Sequence, residues 1–233
     1  MSPEVWADSP EERITREEYR ASKAGLTAGQ YGEDGEPRGV GRFLERIVIR
    51  ELQKIAHEQY DSELRFEHGV VVEDYGSRKY PGASASGASG VDTDASPEFD
   101  IVCYRGDVAW TYSDGKPLAV VPESFLYGVV EVKRGVNGSN LDAINRQLRR
   151  QSEYLDSARG VRVPQILVGV QYFGGQVVEM VTEAVSEYVA LIGDINGSGS
   201  ARSMTEPVEV GEKGFVGRGC LESVVSVLNE QAE

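Results

Sequence analysis

A chain of 233 residues with 38 acidic against 24 basic side chains carries a net charge of -14, which argues against a general attraction to phosphate and makes any contact with nucleic acid a local matter. The two cysteines, Cys103 and Cys220, sit in no metal-type spacing, which speaks against a disulfide framework and for a reduced, cytoplasmic setting. No apolar run approaches the roughly 18 residues of a membrane span, and the acidic start MSPEVWADSPEERITREEYR is not a secretory signal.

The length suits one domain with elaborations, long enough to bury a core without covalent staples. The acidity fits a halophile-like surface kept soluble in a salt-rich cytoplasm, where screening would also relieve repulsion from nucleic acid. An ordinary acidic cytoplasmic protein is an equally simple account.

In chain order, residues 10–24 read as a short polar helix and GLTAGQYGEDGEPRG as a glycine-rich linker. Leu44, Val48, Leu52 and Ile55 predict a helix from Gly41 to about His57. FEHGVVVE, residues 66–73, suits a strand. The Gly, Ser, Ala and Pro content of residues 76–97 predicts a mobile loop. EFDIVCY (98–104), a short stretch at 118–121 and 124–133 are strand-like, with short connections that imply antiparallel pairing. A helix is expected at 140–158 and a strand at 163–172. Val177, Val181, Val185, Tyr188 and Ile192 recur at helical intervals over 176–192. NGSGSA is a flexible break, and the tail offers a strand or two near 207–216 and a helix from Leu221. Helices alternating with strands imply an α/β sandwich around a central sheet.

Two of these strands carry acids among apolar residues. Asp100 opens PEFDIVCY, and Glu131 and Lys133 close SFLYGVVEVK. Strand side chains alternate, so Glu131 and Lys133 share a face. If the two strands are neighbours, Asp100 and Glu131 converge. Two close carboxylates resist joint ionisation unless a cation lies between them, and hard oxygen donors favour Mg2+ or Mn2+ over zinc. Lys133 could then orient a water or neutralise an oxyanion.

This pattern resembles the PD-(D/E)XK nuclease superfamily. The carriers are Asp100, Glu131 and Lys133, with the proline displaced to Pro97-Glu98-Phe99-Asp100. More narrowly, GRFLE, the SxPEFDIVxY strand and ESFLYGVVEVK are similar to an uncharacterised prokaryotic family with this core. The resemblance covers about residues 40–175. It implies a three-layer restriction-endonuclease-like sandwich with a mixed sheet flanked by helices. It divides the chain into an acidic helix and linker (1–39), a core (40–195) with the loop 76–97, and a C-terminal extension (196–233).

On the first core helix Glu45 falls inside the apolar arc of Leu44, Val48, Ile49, Leu52, Ile55 and Ala56, opposite Arg46, Arg50, Gln53 and Lys54. The resemblance places such a glutamate at the metal site. A first-turn acid favoured by the helix dipole accounts for it equally well. On the helix after Lys133, Gln147 and Gln151 border the stripe of Leu141, Ile144, Leu148 and Leu155. Related nucleases use a glutamine here near the scissile phosphate, although polar residues on a helix flank need no such role. Gln151 and Tyr154 are three apart, which does not match the RecB-like spacing of four. Arg146, Arg149 and Arg150 could track a phosphate backbone or be a solvated helix face.

The resemblance thus implies a divalent-metal-dependent nuclease acting on DNA. Asp100, Glu131, the Val132 carbonyl and Glu45 would hold Mg2+ or Mn2+, and Lys133 would position the attacking water. A homodimer is compatible with the sequence. The alternative is a catalytically silent module of the same fold that binds nucleic acid or protein. His57 and His68, without paired spacing, do not suggest zinc.

Overall fold

The apolar arc on the first core helix finds its partner in a central sheet. The computed structural model describes residues 9–23, 38–72, 97–113, 116–159, 162–172, 176–195, 201–202 and 208–232. Its helices are α1 (Pro10–Lys23), α2 (Arg38–Tyr60), α3 (Leu141–Arg159), α4 (Val177–Glu183) and α5 (Cys220–Glu230). Its strands are β1 (Arg65–Val72), β2 (Phe99–Tyr104), β3 (Ala109–Ser113), β4 (Lys116–Pro122), β5 (Leu126–Val136), β6 (Gln165–Tyr172), β7 (Tyr188–Ile195), β8 (Ala201–Arg202), β9 (Val208–Val210) and β10 (Gly214–Val216). The loop expected to be mobile at 76–97 lies, apart from Pro97, outside the described residues, as does most of the 25–39 linker.

The strands form one ten-stranded sheet in the order β3-β4-β1-β2-β5-β6-β7-β10-β9, with β8 paired to β7. β5, β6, β7 and β10 run parallel, as do β1 and β4, while β2 is antiparallel to both of its neighbours. The sheet is therefore mixed. On one face Leu44, Val48, Leu52 and Ile55 of α2 and Leu221, Val224 and Leu228 of α5 pack with Ile101, Val130, Val132 and Ile166. On the other, Leu141, Ile144 and Leu148 of α3 and Met180 of α4 meet Leu167, Val189 and Leu191. This is the three-layer α/β sandwich expected from the sequence. Among the described residues no helix is long and apolar enough to cross a membrane.

Two differences from the sequence reading have physical reasons. The helical pattern expected over 176–192 breaks at Ala184, whose backbone is extended (φ -64, ψ 136). Beyond it, Val189–Ile192 is buried on both sides between β6 and β10. A run of that kind fits a central parallel strand, and its valines and isoleucines prefer one. The edge strand β3, AWTYS, pairs with β4 as a hairpin; it is too short and polar to signal itself.

α1 is tied to the core by charge. Glu11, buried, accepts from the Leu221 N–H at 3.2 Å at the start of α5, where a carboxylate suits the unsatisfied N–H groups. Arg13 pairs with the buried Glu51 of α2 at 2.6 Å. Arg134, just past Lys133 on β5, pairs with Glu18 at 2.8 Å.

Gly69 marks the tightest point near the site. A Cβ there would lie 2.6 Å from Val102 Cγ2 and 2.7 Å from the Ala119 backbone oxygen. The oxygen belongs to the strand paired with β1, so it cannot withdraw without loss of pairing. Gly69→Ala should destabilise the fold by about 1–3 kcal/mol, read as a lowered midpoint in urea. An unchanged midpoint would show that this contact relaxes freely.

Candidate active site

β2 and β5 pair from Tyr104↔Leu126 to Ile101↔Val130, and the recorded register ends one residue short of Asp100. There the side chain takes over from the backbone. Asp100 Oδ2 accepts the Val132 N–H at 2.9 Å, a donor that a continuing ladder would have used. In a strand the N–H and C=O of one residue point to the same side, so the Val132 carbonyl faces the same gap. Across it the Glu131 carboxylate lies close enough to help raise the pKa of Asp100.

Glu131 is 1 % exposed, a position that costs heavily unless every lone pair is used. Its Oε1 accepts from Lys133 Nζ and, at 2.6 Å, from Gln147 Nε2. Its Oε2 accepts from Gln151 Nε2 at 2.8 Å. The tight turn between β5 and α3 makes this geometry: Asn137 Oδ1 accepts the Ser139 N–H at 2.9 Å, and Asn140 Nδ2 donates to the Gly135 carbonyl at 2.9 Å. α3 then runs back over β5 and lays Gln147 and Gln151, one helical turn apart, above Glu131.

Glu45 reaches the cluster from α2, on the other side of the sheet. α2 begins at Arg38, two turns earlier, so Glu45 is not the first-turn acid that the helix dipole would favour. Burial pushes its carboxyl up to about 7, helped by the charge of Glu131 and opposed by Arg42 and Lys133. Burial also holds Asp100 well above the usual carboxylate range, reinforced by Glu131 and then Glu45. The charges of these acids thus influence one another.

The sequence reading missed three nearby residues. His68 Nδ1 lies 3.4 Å from Glu45 Oε2, and the ring also bonds the Asp100 backbone; burial lowers its pKa. Gln165 of β6 contacts Gln151. Arg42, three residues before Glu45, has a buried Nη1 with no hydrogen-bond partner among the described residues. His68 shares the α2 side of β1 with Phe66, two residues before it, but its meeting with Glu45 depends on how α2 packs on the sheet, which no local pattern announces.

Beside the acids lies a cavity of about 410 Å³ lined by Pro97, Glu98, Ala143, Arg146, Gln147, Arg150 and Gln151. Of the arginines singled out on α3, Arg146 and Arg150 face it; Arg149 is exposed and is not part of its lining. Cys103 is buried in the core, on the face away from the cavity.

The donor set fits a small hard cation. Two neighbouring carboxyls, with Asp100 held well above its usual range by burial and then by the charge of Glu131, and a backbone carbonyl on the same gap are all oxygen donors. Among the described residues no three His, Cys, Asp or Glu side chains form a ready-made metal group. A site here would take two carboxylates and complete itself with the Val132 carbonyl and water.

No protein-family model and no curated protein matches the chain. Its fold does have solved counterparts. NucC of E. coli MS115-1 in its cAAA-bound form superposes with a TM-score of 0.53 at 11% identity, over 95% of this chain and 88% of that one. NucC of P. aeruginosa ATCC27853, cAAA-bound, gives 0.50 at 8% identity, over 95% and 91%. The likeness extends to the fold alone. It does not reach the narrower prokaryotic family expected from the sequence.

An acid with a folded pKa above its unfolded one binds its proton more tightly when folded, so stability falls as pH rises between the two values. For Glu45 that window runs from 4.5 to about 7, and Asp100 acts in the same direction. The metal-free protein should lose on the order of 3 kcal/mol across it from Glu45 alone and level off above. Glu45→Gln should flatten the fall in denaturation midpoint; parallel profiles for parent and variant would contradict this origin of the shift.

Proposed function

We propose that this protein is a divalent-metal-dependent nuclease that hydrolyses phosphodiester bonds of DNA. One observation carries the reading. Asp100 and Glu131, from neighbouring strands, meet in a gap that also receives the backbone of Val132, with Lys133 on Glu131. A fold like that of NucC, and a cavity with Arg146 and Arg150 on its wall beside the gap, support the reading.

Asp100, Glu131 and the Val132 carbonyl would hold Mg2+ or Mn2+, with Glu45 assisting from α2. Such an ion, when bound, supplies positive charge to the phosphodiester and makes a water more acidic. The remaining work falls to the chain. Lys133 lies at the edge of the buried pair, 27% exposed. Its ammonium can orient the attacking water while Glu131 fixes its position, and it can meet negative charge that develops on the phosphate. Gln147, on the cavity wall, can pass its N–H from Glu131 to a phosphate oxygen. Arg146 and Arg150 provide positive charge along the strand's path, and the unpartnered N–H of Arg42 faces the acids from the other side.

Cleavage of plasmid and single-stranded DNA with Mg2+ or Mn2+, at low and high salt, tests the assignment. Lys133→Ala should slow cutting by about 10²–10⁴-fold without loss of the folded state. A variant that cuts as fast as the parent removes Lys133 from the mechanism. Mn2+ should also raise the melting temperature of the parent, because only the folded chain assembles the donors; Asp100→Asn should lose that gain. Cation-independent melting would favour the silent-module alternative.

A further inference from the structure

We propose that Gln165, on β6, is a positioning residue for Glu131, acting through Gln151 as a rigid strut of two amides. The proposal rests on the metal-site reading of Glu131 and adds a residue that this reading does not contain.

The orientation of the strut follows from one unambiguous group. The Leu148 carbonyl can only accept, and it lies 3.0 Å from Gln165 Nε2. That sets the Gln165 amide, and its Oε1 accepts from Ser152 Oγ at 2.9 Å. The second hydrogen on Nε2 goes to Gln151 Oε1 at 3.1 Å. Gln151 must therefore turn its carbonyl toward β6 and its amino group toward Glu131 Oε2, at 2.8 Å. A flipped Gln151 would set amino group against amino group and carbonyl against carboxylate.

Burial makes the strut stiff. Gln165 is 4% exposed, Gln151 3% and Glu131 1%, so water has no room to substitute for a lost partner. Sheet register places the parts. Val129 pairs with Gln165 and Glu131 with Leu167, which puts Gln165 on the α3 face of the neighbouring strand, two positions from the partner of Glu131 and within reach of Gln151. Both glutamines border the cavity, but Gln147 is only partly buried. Of two glutamines one turn apart, Gln151 is clamped at both ends of its amide and Gln147 is the more open to the cavity. The clamp fixes Oε2, and with it the direction in which Oε1 meets Lys133. Without it the carboxylate is free to turn about its broad terminal torsion.

The test uses the full chain. In Gln165→Met the affinity for Mn2+, measured by calorimetry, should fall about 10-fold. Gln151→Met should lose as much, and the double variant no more than either, because both remove one strut. A second readout needs no metal: the side-chain amide protons of Gln151 should exchange slowly with solvent in the parent and quickly in Gln165→Met, followed by NMR. Should Gln165→Met fail to fold, Ser152→Ala, which removes one bond to the Gln165 carbonyl, should give a smaller change in both readouts. A parent that binds Mn2+ and a variant that binds it equally well, with Gln151 still protected, overturns the strut alone. A parent that binds no Mn2+ overturns the metal-site reading, and amide exchange then decides whether Gln165 holds Gln151 against Glu131.

Discussion

Two carboxyl groups forced into contact inside a sheet are the constraint on which the rest of this structure turns. Asp100 and Glu131 meet because β2 leaves β5 one residue early and a side chain replaces a backbone partner. Burial of such a pair is expensive, and the surroundings are arranged to meet that cost. Lys133, Gln147 and Gln151 occupy the lone pairs of Glu131, and burial holds the Asp100 carboxyl well above its usual range. Apolar side chains at the same positions would avoid that desolvation cost. The arrangement makes physical sense as one whose deficit is met by a cation.

The same constraint explains why helices from both faces of the sheet converge here. Glu131 and Lys133 face α3, whereas Val130 and Val132 belong to the α2 side. Glu45 from α2 and Glu131 from the opposite face are close enough for the charge of one to raise the pKa of the other. The gap is flanked by rigid elements rather than by loops: β6 beneath Gln165, α3 above Glu131, and α1 anchored to β5 through Glu18 and Arg134. Groups held by packed elements keep their geometry without reorganisation, as electrostatic catalysis requires.

Much of this was legible in the sequence because charge inside apolar strands is rare enough to be informative. Asp100, Glu131 and Lys133 stood out against Ile101, Val102, Val129 and Val130, and the helical arc around Glu45 put an acid where the sheet had to lie. The layered fold followed from alternating helices and strands. What stayed hidden depends on long-range pairing. His68 meets Glu45 only once α2 packs on the sheet, and Gln165 reads as an ordinary polar residue at the start of a buried strand until the parallel register sets it beside Val129, within reach of Gln151. The 176–192 pattern misled for a related reason: valines four apart fit a helix, but the second half is claimed by the sheet between β6 and β10.

Net charge and local charge also pull apart in this molecule. A chain at -14 repels a polyanion at long range, yet Arg146 and Arg150 line the cavity and Arg42 stands beside Glu45. Long-range repulsion is screened within about 10 Å at 0.1 M salt, whereas contacts inside a partly enclosed cavity are screened much less. Binding would then weaken less steeply with added salt than for a basic protein that makes the same phosphate contacts, because screening relieves repulsion from the acidic surface as it weakens the arginines. The opposing responses come from different parts of the molecule: an acidic exterior and a short basic wall beside three clustered carboxyls.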